Sequence, residues 1–260
     1  MVLLLAFWVL EKHPVLASVM FAIAGLTKFQ CLYFTPVFLY LLYKNFGVKN
    51  FFAGISAAAL TVILTFLPFM IATKRPMLFF EVYLNGGNSY PYLTLNAFNF
   101  YGIFKLNWVA ETQISILGVS FATINVIITV LIFVAVFALM VLAKRKCAFL
   151  FSFVLMQGLF MFTTRMHERY QFVALIFILL ATVIYKKKEF FYSFIMLSFI
   201  ITLNQAIPMF DWQRGGSFLG GNNYGNIMCV ISILNLLVFI YSVYHSIKFL
   251  LEGEEECPLA

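Results

Sequence analysis

From Gly118 to Ala143 the chain carries no charged side chain, and that run limits what the whole can fold into. A helix rises about 1.5 Å per residue, so a run of this length crosses the ~30 Å hydrocarbon layer of a bilayer. Further apolar runs occupy 1–10, 15–27, 30–43, 51–72, 147–163, 170–185, 190–207 and 226–250. A water-soluble fold could not hide them all, because some surface always stays outside. The chain is 63% hydrophobic and 10% charged, whereas soluble domains hold about 25% charged residues. The sequence predicts an all-α fold, a polytopic transmembrane helical bundle of about eight spans with short outer interfacial helices. Residues 1–260 read as a single transmembrane domain, with an outer loop at 73–117 and an acidic cytoplasmic tail at 251–260.

The cations set the expected topology. Lys44 and Lys49, Lys144-Arg145-Lys146, Lys186-Lys187-Lys188 and Lys248 each end or separate apolar runs. With all of them inside, the spans alternate consistently, and 73–117, 163–172 and 208–225 face outward. The net charge of +7 then belongs to cytoplasmic loops, so membrane lipids are expected partners and nucleic acid is not. The stretch 15–43 is too long for one span and carries Lys28 at its centre, where a charge costs several kcal/mol. A hairpin of two short helices with Thr27-Lys28-Phe29-Gln30 at its outer tip relieves that cost.

The first run, 1–10, reaches only about 15 Å as a helix. It has neither a basic leader nor a small-residue cleavage site. It reads as the tail end of a span, so the sequence is expected to be the C-terminal part of a longer protein. Cys31, Cys147, Cys229 and Cys257 are scattered, which indicates neither a disulfide framework nor a metal site. Cys257-Pro-Leu-Ala outlines a prenylation box, but the preceding Glu252, Glu254, Glu255 and Glu256 are acidic where such boxes follow basic residues.

Against this oily background TTRMHERYQF (163–172) concentrates Arg165, His167, Glu168 and Arg169 between two apolar runs. On a continuous helix Arg165, Glu168 and Arg169 share one face at i, i+3 and i+4, so that Glu168 would hold both guanidiniums. The planar guanidinium fork suits phosphate. His167 would point to nearly the opposite side unless the helix starts at about residue 167. A hydrated interhelical turn is the alternative reading. Lys28 is open to the same phosphate reading, or to simple snorkelling toward the interface.

The outer loop supplies a different chemistry. MLFFEVYL (77–84) predicts a short interfacial helix. NGGNSYPYLTLNAFNFYGIF (85–104) then mixes Asn85, Asn88, Asn96 and Asn99 with Tyr90, Tyr92, Phe98 and Tyr101. Rings that stack and amides that pair with hydroxyls hold polyols, although an aromatic interfacial belt looks the same in sequence. The Gly-rich 208–225 lacks a nucleotide-loop spacing and reads as a flexible loop.

Thr27-Lys28-Phe29-Gln30, Asn96-Ala97-Phe98-Asn99 and Met166-His167-Glu168-Arg169-Tyr170, in this order, resemble the membrane glycosyltransferases of the GT-C class. The resemblance extends over nearly all of 10–185 and is nearest to bacterial proteins similar to GPI mannosyltransferases. It implies the C-terminal portion of a GT-C-like fold in a bacterial cell membrane, taking sugar from a polyprenyl-phosphate donor on the outer face. It implies that Lys28, Arg165, His167 and Arg169 contact the donor phosphate and that Glu168 orients the arginines. Gln30, Asn96 and Asn99 would lie near the sugar or acceptor. No metal or other cofactor is expected. The acceptor would be a glycan, a lipid or a protein. The family's usual Asp base sits in a first outer loop that this chain lacks, so the catalytic residue is unknown, a truncated or split form is expected, and a separate N-terminal half is an expected partner. A transporter or flippase for an anionic lipid would need the same cations without a base, and a structural membrane subunit would need neither.

Overall fold

The computed structural model describes residues 1–87, 90–213 and 221–252. Asn88, the middle of the Gly-rich loop (214–220), and most of the acidic tail with Cys257 lie outside the described residues. Where the sequence reading has one domain, the contacts group the chain into two compact units, one built mainly from 1–90 and the other from 91–144 and 149–254.

The first unit comprises α1 (Val2–Leu10), α2 (Pro14–Thr27), a 3₁₀ turn (Phe29–Phe34), α3 (Thr35–Thr73) and α4 (Leu78–Gly87). Pro14 and Pro36 occupy early positions of their helices, where the missing N–H is no loss. The expected hairpin forms: α2 ends at Thr27, and Lys28 is extended before the chain turns into α3. Phe21 stacks on Phe38 at 4.4 Å to hold the two helices together. The predicted runs 30–43 and 51–72 are not separate helices but one element interrupted at Gly47, whose φ of 72° only glycine adopts without strain. The expected interfacial helix at 77–84 is α4, and Tyr83 donates to the Gly25 carbonyl at 3.0 Å.

The second unit holds α5 (Phe100–Ile103), a hairpin of β1 (Ser115–Ile116) and β2 (Val119–Ser120), then α6 (Phe121–Leu142), α7 (Ala148–Phe162), α8 (Phe172–Tyr185), α9 (Lys188–Gln213) and α10 (Gly221–Leu251). Ser120 caps α6 by accepting from Thr123 N. α7 is buried on nearly every side, as expected of a helix apolar all round. α10 is turned the other way from a soluble helix. Its buried side carries Ser232, Asn235, Ser242 and Ser246, while Val230, Ile233, Leu237 and Ile240 are exposed. Such an outward apolar face suits lipid, with the polar groups satisfied inside.

The all-α expectation holds apart from the small hairpin. The count of about eight spans does not. Among the described residues, four helices have the length and apolarity to cross a membrane: the 3₁₀ turn with α3, α6, α9 and most of α10. α2, α7 and α8 are apolar but shorter. Two expected runs fall in α3, and at 163–171 the chain unwinds instead of prolonging either neighbour. α7, with 15 residues, and α8, with 14, therefore rise only about 22 and 21 Å. The scattered cysteines also mislead, since Cys147 is disulfide-bonded.

Candidate functional site

The site lies in the second unit, where two predicted motifs far apart in sequence meet through the main chain. Arg165 N donates to Tyr92 O at 2.9 Å, and Leu95 N donates to Met166 O at 3.0 Å. Isolated bridges pair Leu95 and Asn96 with His167. On its other side the same loop takes Trp108 N onto Thr94 O at 3.0 Å and gives Leu93 N to Val109 O at 2.8 Å. Residues 91–99 thus run as a central strand-like segment between 107–111 and 164–167.

The turn is not the helix its spacing suggests. Arg165 is left-handed, with φ 62°, a conformation that costs a non-glycine residue about 1–2 kcal/mol. Its guanidinium does not meet Glu168. Nε lies 3.1 and 3.2 Å from the two carboxylate oxygens of Glu111, and Nη2 donates to Oε2 at 2.7 Å. Thr164 Oγ1 donates to the same carboxylate. Glu111 is buried, 1% exposed, while the Arg165 side chain keeps 29% of its surface. Glu168 holds only the second arginine, Arg169, through Nη1 at 3.1 Å. The shared-face geometry is therefore corrected: each guanidinium has its own carboxylate, because the turn carries Arg165 toward 111 and Arg169 toward solvent.

Arg169 is 58% exposed. Its remaining N–H donors meet no acceptor among the described residues, so it can receive an anion. His167 is largely covered, with its Nδ1 3.9 Å from Glu168 Oε2. Burial first, then Arg169, push its pKa down, and Glu168 partly opposes them. His167 is therefore a neutral imidazole near neutral pH.

The amides divide into two roles. Asn99 is fully buried; it caps α5 through Tyr101 N and donates to Phe160 O at 3.2 Å. It offers a ligand no exposed surface, contrary to the expected place beside the sugar. Asn96 is half-buried, left-handed at φ 57°, and accepts on Oδ1 from Asn107, Trp108 and Tyr224. Lys28 and Gln30 belong to the first unit, where Lys28 is exposed at the end of α2 and Gln30 is the second residue of the 3₁₀ turn.

Several contributors escaped sequence reasoning. Asn204 Oδ1 accepts from Phe98 N at 2.7 Å while its Nδ2 donates to Glu168 O at 3.0 Å, tying both motifs to α9. Asn235 Nδ2 donates to Phe98 O at 2.7 Å, and Gln171 links Asn235 to Gln157. Gln157 and Asn235 stand among apolar neighbours of their helices, and that isolation was the one signal available for them. In the same unit, Phe100, Phe104, Phe121, Ile124 and Phe162 line an apolar cavity of about 640 Å³. Tyr101 reaches its wall and donates to Phe162 O at 2.9 Å. Burial and Glu111 push this phenol up to about 12, so it stays protonated.

No group of histidine, cysteine and carboxylate side chains able to hold a metal occurs among the described residues. Comparison with known protein families, with curated proteins and with solved structures finds no match to this chain.

Proposed function

We propose that this chain is an integral membrane glycosyltransferase of the mannosyltransferase-like kind, using a polyprenyl-phosphate-linked sugar on the outer face of the membrane. A bacterial cell membrane is the setting that the resemblance implies. The observation that carries the reading is the main-chain junction between residues 92–96 and 165–167, which brings the Asn96 segment against the charged turn.

In this reading Arg169, His167 and Arg165 receive the donor phosphate, and Arg165 is oriented by Glu111 in place of Glu168. Lys28 and Gln30 are assigned to the donor and the sugar by the resemblance alone. The cavity of about 640 Å³ offers an apolar place for part of the isoprenoid chain. In transfer, an acceptor hydroxyl oxygen of a glycan, lipid or protein attacks the anomeric carbon. The bond from that carbon to the phosphate oxygen breaks, and the polyprenyl phosphate leaves with the electron pair. Fixed guanidiniums stabilise that leaving charge without a metal. The hydroxyl proton passes to a base, and Glu111 is unsuited to that task because it is buried and already held by Arg165 and Thr164.

The engagement of both Glu111 and Glu168 with guanidiniums favours one rival, a binder or flippase of an anionic lipid or lipid-linked sugar. One experiment separates the two. The full chain in nanodiscs is given polyprenyl-phospho-mannose, and both retention and transfer are measured. Retention that falls at least tenfold in Arg169→Ala, together with transfer to an added acceptor, supports the enzyme. Retention without transfer ends the reading of the chain as an enzyme by itself and leaves the binder, and no retention ends both.

A further inference from the structure

Trp108 is held in a way that an interfacial anchor does not require. Its backbone is left-handed, φ 58°, a conformation that persists only where the surroundings impose it and that gathers at ligand clamps. Its main-chain N–H is bound to Thr94 O, and its indole Nε1 donates to Asn96 Oδ1 at 3.3 Å. Tyr92 stands edge-on to the ring at 5.3 Å. Yet 47% of the residue is exposed. Both the polar edge and the backbone are thus tied to protein, while ring surface is left open. A tryptophan that anchors a protein at the membrane surface instead turns its N–H to water and headgroups.

Asn96 completes the arrangement. Three donors converge on its Oδ1, from Asn107 at 2.7 Å, Tyr224 at 3.0 Å and Trp108, which fixes the orientation of the amide. Its Nδ2 then meets no acceptor among the described residues and is not a buried atom. An open aromatic ring beside an amide with two unused donors suits a pyranose, whose C–H face stacks while a hydroxyl accepts.

We propose that Trp108 and Asn96 form a carbohydrate-binding platform whose ligand is a single pyranose ring. The platform rests on the proposed function in one respect, that the ring belongs to a lipid-linked donor or its acceptor.

The test uses the full chain in phosphatidylcholine nanodiscs, which contain no sugar. Methyl α-mannopyranoside and methyl β-glucopyranoside are the probes, and saturation-transfer NMR reads their ring C–H protons. At least one glycoside is expected to show transfer, with millimolar affinity. Trp108→Gly, which keeps the left-handed backbone without strain, is expected to cut that transfer at least fivefold, and Trp108→Phe to keep a part of it. Polyprenyl-phosphate retention is measured on the same samples and is expected to be unchanged in Trp108→Gly. No transfer from either glycoside to the unmodified chain overturns the platform, as does unchanged transfer in Trp108→Gly. Either result with retained polyprenyl-phosphate binding leaves the proposed function standing. Glycoside transfer lost in Trp108→Gly, on a chain that retains no polyprenyl phosphate, supports the platform and removes the lipid-linked donor.

Discussion

At the scale of single residues, charge is placed by partners rather than by spacing. The i, i+3 interval assigns Arg165 to Glu168, but the carboxylate that holds it is that of Glu111, 54 positions away. Removing one member of a fully buried ion pair costs about 3–5 kcal/mol. Arg165 keeps 29% of its side-chain surface, which screens it and brings the expectation for Glu111→Gln to about 2 kcal/mol. Denaturation in micelles should read that loss, and an unchanged midpoint would mean the pair contributes nothing. His167 gives a pH dependence of definite sign. Its folded pKa lies below the ordinary 6.5, so below that value the unfolded chain binds a proton that the folded chain refuses. Stability should be complete above about 6.5 and decline as pH falls through the folded pKa. His167→Gln should flatten the decline in melting temperature between pH 6.5 and 5.

At the scale of elements, most helices could be read from apolar runs. α6 fills 121–142 of an expected 118–143, and α8 fills 172–185 of an expected 170–185. What could not be read is how the polar residues among them pair. Periodicity reports which face of a helix is apolar, but Asn204 and Asn235 hold Phe98 across more than a hundred positions. No local pattern encodes such a partner. The pairing inside the turn escaped for a related reason: the i, i+3 spacing puts Arg165 and Glu168 on one helix face, and long-range hydrogen bonds to Tyr92 and Leu95 override that geometry. Packing of α5 on α10 is as demanding. A Cβ on Gly102 would run into Ser232 Oγ and lie 3.0 Å from Met228 Cε. Gly102→Val should cost about 1–3 kcal/mol through overpacking, and Gly102→Ala should cost less; equal stability of both variants with the native chain would refute the close approach.

At the scale of the whole molecule, the chain is sorted by solvent. Exposed positions on α6, α9 and α10 are occupied by Val130, Val134, Phe199 and Leu237, while amides and hydroxyls turn inward. Lipid accepts the first group, and buried hydrogen bonds serve the second. The clusters Lys144–Lys146 and Lys186–Lys188 are expected on the cytoplasmic side, which puts the Arg165–Arg169 turn opposite them. Single cysteines at Arg169→Cys and Lys187→Cys, in a background without the native four, should differ in their response to an impermeant maleimide on intact cells. Labelling of the first alone agrees with the cation rule, and labelling of the second alone reverses it.

The amide ties of Phe98 also set an order of events during synthesis. The residue leaves the ribosome 106 positions ahead of Asn204 and 137 ahead of Asn235. At about 5–20 residues per second, the second interval lasts on the order of ten seconds. Through that time the carbonyl of Phe98 lacks its final partner, and for the first 106 positions so does its N–H. Water, or the insertion machinery, must serve in their place. The clock of assembly is therefore kept by α10, and the charged turn, although synthesised earlier, waits for it.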